Sequence, residues 1–417
     1  MTISVAVIGS GIVGVSTALW LVRDGHSVTL IDRSGPGEGA SFGNGGVLAG
    51  CSIVPVTVPG LIRKAPRMLM SPDQPLFLRW AYLPQMVPWL SGYLSHANER
   101  DVRRIAAALL PIVRDSLADH RALADGTRAE RWIVPSDYLF IYESRAHFER
   151  DAFGWSIRRD AGFEWEELEG EDLHAYDPSF SRRLKFAVRL ENHGRISDPA
   201  RYVKDLAAEA EAGGARILKA QVEAVSLADG AVTGVRADGQ TIPCDSMVLA
   251  TGAWSAPLGR QLGMKIPIES ERGYHIDFWS PSVTPRSPVM IADGKFVITP
   301  MEGRLRAAGT VEFGGLDAPP SPEPLGLLER GIAAAIPGFR WSERTEWMGH
   351  RPALTDSIPV IGEIPGIKGA FAGFGHHHIG LTGGAKTGRL LAQMISGRTP
   401  NIDLTPYSAA RFTKRFG

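Results

Sequence analysis

Hydrophobic residues near the N-terminus follow the order strand, turn, helix, strand. Val5, Val7 and Ile8 predict a buried strand, and the run from His26 to Asp32 predicts a second one. Gly25 is placed to end the helix between them. The carboxylate that ends the second strand lies about 20 residues beyond the turn, where it can accept hydrogen bonds from a ribose. This order of elements predicts a dinucleotide-binding fold.

The turn itself follows the G-x-G-x-x-G pattern from Gly9 to Gly14. Gly9 permits the sharp turn, Gly11 lets a pyrophosphate approach the backbone, and Gly14 allows the helix to pack closely on the strand. The helix N-terminus then directs unpaired N–H groups and a partial positive charge at the phosphates. We expect the cofactor to contact Gly9, Gly11, Ile12, Val13, Gly14, Asp32 and Arg33.

A helix followed by three strands is predicted after residue 196. Ser197 or Asp198 can cap this helix, Pro199 occupies its first turn, and Gly213-Gly214 ends it. Asp-Gly pairs join the strands, which is typical of a β-meander. Small residues after the last strand would let the chain pass close to a bound cofactor. The strands are predicted around Ile217 to Leu227, Ala231 to Ala237 and Gln240 to Ala250, with Thr251, Gly252 and Trp254 following them.

The second half of the chain alternates apolar and polar residues, which predicts an antiparallel sheet. In the strand Ile266 to Phe278, Tyr274 and His275 point to opposite faces unless Gly273 introduces a bulge. Tyr274 is therefore the first candidate for a substrate contact, and packing on the sheet is its alternative. Further strands are predicted at Phe296 to Met301 and Leu305 to Phe313, and helices at Leu325 to Ile336 and about Ala385 to Ser396.

Composition and charge favour a water-soluble enzyme. The 417 residues suggest two or three folding units, and 45 basic residues balance 45 acidic ones, so nucleic acid is not an expected partner. Cys51 and Cys244 do not form a disulfide or zinc motif. The chain starts directly in its first strand without a signal-peptide pattern, so we expect a cytoplasmic protein. Leu76 to Leu94 is apolar but interrupted by prolines and an arginine, which leaves peripheral contact with the inner membrane as the alternative to burial.

Several later segments resemble the FAD-dependent D-amino acid oxidase superfamily, most closely its bacterial D-amino acid dehydrogenase branch. Ala40 to Gly46 is similar to the small-residue loop beside the flavin, and Val222 to the valine whose backbone meets the adenine. Val58 to Trp89 is similar to the dehydrogenase branch in particular. The other matching segments are A-x-G-A-W at Ala250 to Trp254, G-x-R-P at Gly349 to Pro352, D-x-x-P-x-x-G at Asp356 to Gly362, and the closing flavin loop at Gly375 to Thr382.

The resemblance implies an α/β protein with a Rossmann-type FAD-binding domain of the glutathione-reductase-like kind and an interleaved α+β substrate domain built on an antiparallel sheet. The FAD-binding domain is expected at 1–62, 196–259 and 344–417, and the substrate domain at 63–195 and 260–343. FAD is expected to bind without a covalent link, since neither cysteine lies in the late segment where sarcosine oxidase-like relatives attach flavin. Further FAD contacts are expected at Ser41, Asn44, Gly45, Gly46, Val222, Thr251, Gly252, Trp254, Gly375, His376, His378, Ile379, Gly380, Leu381 and Thr382.

Arg351 is the strongest candidate for substrate binding. A guanidinium can hold a carboxylate with two parallel hydrogen bonds, and the G-x-R-P arginine binds substrate carboxylate in glycine oxidase-like members. Tyr274, His275 and His378 are the other candidates for substrate or catalytic contacts. No metal site is expected at His376 to His378, because neighbours on an extended loop point in alternating directions and no acid or cysteine cluster accompanies them.

The predicted reaction is transfer of a hydride from Cα to flavin N5, which gives an imino acid and then a 2-oxo acid, with a quinone-type acceptor taking the electrons. The segment Glu271 to His275 resembles cis-4-hydroxy-D-proline dehydrogenase-like members, so D-proline and its hydroxy derivative are alternatives to D-amino acids in general. A glycine- or sarcosine-type oxidase using oxygen is a further alternative. A nicotinamide dehydrogenase or a non-enzymatic nucleotide-binding module would leave the flavin-like segments or Arg351 without a role.

Overall fold

The N-terminal strand lies in the middle of a six-stranded sheet in this computed structural model, which describes residues 1–61 and 75–413. Nineteen strands are described in that part of the chain, and they form a six-stranded, a three-stranded and a ten-stranded sheet. The strands are β1 Ser4–Ile8, β2 Ser27–Asp32, β3 Val47–Leu48, β4 Leu76–Leu78, β5 Ile133–Tyr142, β6 Glu166–Glu169, β7 Phe186–Ile196, β8 Arg216–Lys219, β9 Val222–Ala228, β10 Ala231–Ala237, β11 Gln240–Pro243, β12 Ser246–Leu249, β13 Ile268–Trp279, β14 Val289–Ile291, β15 Phe296–Met301, β16 Arg304–Phe313, β17 Glu343–Leu354, β18 Val360–Glu363 and β19 Ala370–Phe374.

Twelve α-helices are described within residues 1–61 and 75–413. The predicted cap of the helix after residue 196 is Asp198, whose side chain accepts a hydrogen bond from the backbone N–H of Arg201 at 3.0 Å. The helices are α1 Ile12–Arg23, α2 Leu83–Ser95, α3 Glu99–Val113, α4 Ser116–Ala124, α5 Arg145–Arg150, α6 Ala152–Asp160, α7 Glu171–Tyr176, α8 Pro199–Ala212, α9 Ser255–Gln261, α10 Pro322–Ala335, α11 Gly384–Ile395 and α12 Ala410–Thr413.

The six-stranded sheet has the order β18, β19, β12, β1, β2, β8, and its strands are parallel except for the antiparallel pair of β18 and β19. Val5 and Val7 pack into the apolar cluster on one face, and Ala6 and Ile8 into the cluster on the other. A strand buried on both faces is apolar at every position, which explains the run at the N-terminus. The predicted Rossmann-type sheet is confirmed.

Two predicted strands are each divided between two sheets. The run Ile217 to Leu227 becomes β8, which pairs with β2 in the six-stranded sheet, and β9, which pairs with β10. The run Gln240 to Ala250 becomes β11 in the three-stranded sheet and β12 beside β1. The chain changes sheets without losing its apolar pattern, so the pattern alone did not indicate the break.

The ten-stranded sheet carries most of the predicted substrate domain. Its main path has the order β17, β13, β16, β15, β14, β5, β7, β3, with β4 beside β16 and β6 beside β7. β17 pairs with β13 over its whole length, from Glu343 to Leu354. This sheet therefore extends past the boundary expected at residue 343. The boundary expected at residue 63 and part of Val58 to Trp89 lie outside the described residues.

The register shift between β13 and β16 arises from an extra residue of β16 opposite Gly273, and not from Gly273 itself. Arg272 pairs with Glu312 and Tyr274 pairs with Gly309, so two residues of β16 face one residue of β13. One of the two, Thr310, has a positive φ of 53°. Because β13 itself continues regularly, Tyr274 and His275 remain on opposite faces.

The apolar segment from Leu76 to Leu94 is not one helix. It contains β4, a 3-10 turn at Trp80–Tyr82 and most of α2. Within residues 1–61 and 75–413, every helix is too short or too polar to span a bilayer.

Candidate functional site

A cavity of about 860 Å³ lies between the six-stranded and ten-stranded sheets. Nearly all of the residues expected to contact FAD line it. Gly14, Gly46 and Gly375 are the exceptions. The expected contacts that line the cavity are Gly9, Gly11, Ile12, Val13, Asp32, Arg33, Ser41, Asn44, Gly45, Val222, Thr251, Gly252, Trp254, His376, His378, Ile379, Gly380, Leu381 and Thr382.

The glycine turn has the shape that a pyrophosphate requires. Gly9 has a φ of 101°, which only glycine adopts readily, and a methyl group on Gly14 would overlap the carbonyl oxygen of Gly9. A methyl group on Gly11 would meet only the Ser41 hydroxyl, at 3.4 Å, so the space above Gly11 is open to the cavity. The backbone N–H of Ile12 at the start of α1 donates to that hydroxyl at 3.0 Å. These residues fit a dinucleotide.

Asp32 stands at the end of β2 and organises the neighbouring loops. One carboxylate oxygen accepts from the backbone N–H of Ser10 at 2.8 Å, and the other accepts from Ser34 at 2.8 Å and Gly35 at 3.1 Å. The carboxylate is thus held in place at the cavity wall. Beside it, the Arg33 guanidinium lies 4.2 Å from the ring centre of Trp254, another residue of the wall.

A buried ion network holds the loop from Phe42 to Gly46. Arg306 donates to both oxygens of Asp277, at 2.7 and 2.8 Å, and to the Asn44 carbonyl at 2.7 Å. His275 donates from Nδ1 to the Gly43 carbonyl at 3.0 Å. Burial and the nearby charge of Arg306 lower the pKa of His275 to about 3, so its ring is neutral.

His275 does not line the cavity, although it was a candidate substrate contact. Its ring stacks on the indole of Trp347, with ring centres 5.2 Å apart, and its polar atoms face Gly43 and Asp277. His275 therefore supports the loop from Phe42 to Gly46. The sequence contained a signal for this role. Asp277 lies on the same face of β13 as His275, and the closely spaced Arg304 and Arg306 could pair with it.

Arg351 lies on the sheet face that borders the cavity. Three directly opposed pairs of β13 and β17 share this face: Glu271 with Arg351, Gly273 with Gly349, and His275 with Trp347. The guanidinium lies over Gly273, where a methyl group would be 2.7 Å from Nε and closer still to Cζ. It donates to the carbonyls of Thr310 at 2.9 Å and Gly309 at 3.1 Å.

The other donors of Arg351 remain for a ligand. A guanidinium carries five N–H groups, and two of them donate to these carbonyls. Burial lowers the pKa of Arg351 and the charge of Glu271 partly opposes this, but an arginine remains protonated at neutral pH. The site therefore presents a fixed cation at the cavity wall.

Trp347 is a wall residue that the sequence analysis did not single out. Its indole lies against the backbone of Gly349 and Gly43, where a methyl group on either glycine would overlap the ring. Glycine at both positions leaves a flat surface for the ring. The spacing of Gly349 two residues after a tryptophan was the available signal.

Tyr274 faces the other side of β13, away from Arg351. Its ring packs in the core beneath the sheet with Ile276 and Phe278, and its hydroxyl donates to the Glu312 carboxylate. Burial and that hydrogen bond raise the pKa of Tyr274 to about 12. Tyr274 borders the cavity, but its hydroxyl is not directed into it. The Tyr274 ring therefore packs on the sheet, which was the alternative to a substrate contact.

The three histidines form a turn and not the expected extended loop. His377–Ile379 is a 3-10 turn, and His377 has a φ of 49°. His376 bonds to the Thr387 hydroxyl at 2.9 Å, and His377 Nε2 accepts from the backbone N–H of Leu354 at 2.8 Å. His378 lies deep in the protein, yet its side chain is accessible, because the surface that it exposes faces the cavity. Burial lowers its pKa to about 4, so His378 is neutral.

Among the described residues, one group of three potential metal ligands lies close together, and it contains none of these histidines. It consists of Glu143, His147 and Asp293, which do not line the cavity.

Comparisons with known proteins agree with this architecture. Residues 4–394 match the family model described as FAD dependent oxidoreductase. The chain is 39% identical to a D-amino-acid oxidase of Bradyrhizobium diazoefficiens over 415 residues, covering 98% of both chains, and 30% identical to a D-amino acid dehydrogenase of Paramagnetospirillum magneticum, covering 98% of this chain and 99% of the relative.

Solved structures share the fold at lower identity. Glycine oxidase of Geobacillus kaustophilus has a TM-score of 0.78 and 22% identity, covering 98% of this chain and 99% of that one. L-proline dehydrogenase of P. horikoshii has a TM-score of 0.76 and 19% identity, covering 99% and 98%. The glycine turn and the Asp32 carboxylate agree with the family match over residues 4–394. The chain belongs to the D-amino acid oxidase family of FAD-dependent oxidoreductases.

Proposed function

We propose that this chain oxidises the Cα–N bond of D-amino acids and that Arg351 holds the substrate carboxylate. The observation that carries the proposal is the Arg351 guanidinium, which is fixed by two backbone carbonyls and enclosed in the wall of the same cavity as the glycine turn. Two of the curated relatives are named for oxidation of D-amino acids. FAD, when bound, would accept a hydride from Cα.

The residues of this chain would position the cofactor and the substrate and would exclude water from them. The glycine turn and the start of α1 would hold the pyrophosphate, and Asp32 would accept from the ribose. A carboxylate held at Arg351 leaves one enantiomer able to direct its Cα–H at the cofactor. Neutral His378 would contact the cofactor or substrate without adding a charge. The imino acid product then hydrolyses in water to a 2-oxo acid when the amine is primary.

The substrate within this class is open between D-amino acids in general and cyclic D-imino acids. Tyr274 and His275, two of the candidate substrate contacts, instead bond to Glu312 and Gly43. The preference for cyclic D-imino acids is therefore supported only by the sequence resemblance at Glu271 to His275. An anaerobic titration of the flavin absorbance with D- and L-alanine, D-proline and cis-4-hydroxy-D-proline tests it. Reduction by the L-enantiomers at equal rate would refute the proposed stereochemistry.

For the electron acceptor we propose a quinone-type molecule, as the resemblance to the dehydrogenase branch implies. Oxygen is the second candidate, because the relative of 39% identity is named an oxidase. Rates of dye reduction and of peroxide formation, measured with the same substrate, distinguish the two. Peroxide formation in air as fast as dye reduction would favour the oxidase.

A further inference from the structure

We propose that Glu271 binds the amino group of the substrate, so that Glu271 and Arg351 together form a receptor for an amino acid zwitterion. This inference rests on the proposed function. The two residues are directly opposed on β13 and β17, share one sheet face and line the same cavity. No ion pair joins them within 4.0 Å, although their charges are opposite and neighbouring. Each charged group therefore remains available to a ligand.

The carboxylate of Glu271 is held from behind by two side chains. The Tyr93 hydroxyl of α2 donates to Oε1 at 3.2 Å, and His377 Nδ1 lies 3.8 Å from Oε2. His377 Nε2 lies 2.8 Å from the backbone nitrogen of Leu354 and 3.0 Å from its carbonyl oxygen, which holds the ring beside the carboxylate. The hydrogen bond from Tyr93 favours the ionised form of Glu271.

The polar groups that face Glu271 also favour its ionised form. Arg351 faces it from β17, His377 and His378 from the turn after β19, and Tyr93 from α2. Burial alone would raise the pKa of Glu271, but the neighbouring His377 and the positive charge of Arg351 outweigh burial and leave the pKa below its usual value. Only 3% of the side chain is accessible, so a ligand would meet one edge of the carboxylate.

A zwitterion is the ligand chemistry that matches these two charges. Two opposite charges that are buried but do not pair with each other are unfavourable, and a ligand with one carboxylate and one ammonium compensates both at once. During oxidation the ammonium releases one proton to solvent and Cα loses a hydride, which leaves an iminium with one positive charge. An ionised carboxylate beside the nitrogen would stabilise that developing charge. Glu271 would thus be a catalytic residue as well as a binding residue.

The test uses the holoenzyme and two ligands that it cannot oxidise at Cα. The first is 2-aminoisobutyrate, which has no Cα–H, and the second is isobutyrate, in which hydrogen replaces the amino group. Binding is followed by calorimetry and by the change in flavin absorbance. In Glu271→Gln we expect the affinity for 2-aminoisobutyrate to fall on the order of 10- to 100-fold, while that for isobutyrate stays equal or rises.

Glu269→Gln is the matched control. Glu269 lies two residues away on the same face of β13 and accepts from a tyrosine in the same way, from Tyr82 at 2.8 Å, but it does not line the cavity. The Glu269→Gln substitution should leave the affinities for 2-aminoisobutyrate and isobutyrate unchanged. Equal losses of both ligands in Glu271→Gln would overturn the inference, because they would mean that Glu271 only supports Arg351. A wild-type holoenzyme that binds isobutyrate as tightly as 2-aminoisobutyrate would also overturn it, without any variant. Failure of the proposed function is a separate outcome, since no D-amino acid would then reduce the flavin.

Discussion

Gly273→Ala tests whether the position of the Arg351 guanidinium controls catalysis. The new methyl group would lie 2.7 Å from Nε of Arg351 and closer still to Cζ, where an ordinary contact needs at least about 3.4 Å. The guanidinium must therefore move by the order of 1 Å. Gly273 lies in a regular strand, where alanine is compatible with the backbone. The perturbation is thus confined to the side chain above it.

The expected loss can be estimated from the contacts that would break. Displacement would weaken the hydrogen bonds from Arg351 to Thr310 and Gly309, and a hydrogen bond that involves a charged group contributes about 1.5 to 3 kcal/mol to the stability of the arrangement. A displacement of about 1 Å can also cost about 100-fold in rate through misorientation of the substrate. We therefore expect kcat/KM for the best D-amino acid to fall by the order of 10- to 100-fold, with FAD content unchanged.

The assay is steady-state dye reduction, with FAD content measured by absorbance after denaturation. Gly326→Ala on α10 is the control, because a methyl group there would meet only the Arg330 guanidinium at 3.5 Å. It should retain full activity. Unchanged kcat/KM in Gly273→Ala, at full FAD content, would refute the reasoning that Arg351 orients the substrate from above Gly273.

Further predictions concern the substrate clamp, the cofactor and acid stability. Arg351→Ala should retain FAD and lower kcat/KM by the order of 10² or more, and Arg351→Lys should restore little because it lacks the planar fork; near-normal kinetics would move the clamp elsewhere. Gly11→Val should give a folded protein without FAD, judged by circular dichroism and absorbance, because the Cβ itself meets only the Ser41 hydroxyl and the branched side chain would occupy the pyrophosphate space. Acid precipitation of the wild type should release all yellow colour, whereas colour on the pellet would indicate a covalent link. Burial lowers the pKa of His120 to about 4. Between about pH 6.5 and 4 the unfolded state therefore binds more protons than the folded state, and the free energy of unfolding decreases as the pH falls through that range. In chemical unfolding, His120→Gln should reduce this slope by up to about 1.4 kcal/mol per pH unit, and an unchanged slope would contradict the assignment.

The sequence alone determined the features that depend on local geometry. The glycine turn, α1 and the Asp32 carboxylate were predictable because each depends on sterics and hydrogen bonds within about 30 residues of chain. The Asp198 cap was one of two adjacent candidates for the same reason. A short motif made Arg351 a candidate, since the chemistry of carboxylate binding favours a guanidinium whatever the surrounding fold. The structure places Arg351 in the cavity wall, and its role in binding the substrate stays a prediction.

Only the tertiary structure decided which face of each strand borders the cavity. Alternation along β13 separates Tyr274 from His275, but it does not indicate which face lies opposite the six-stranded sheet. Pairing with β17, more than 70 residues away, places Glu271 beside Arg351 and Trp347 beside His275. The breaks between β8 and β9 and between β11 and β12 have the same origin, because strand partners are chosen by packing between distant segments. Periodicity within a segment contains no information about that choice.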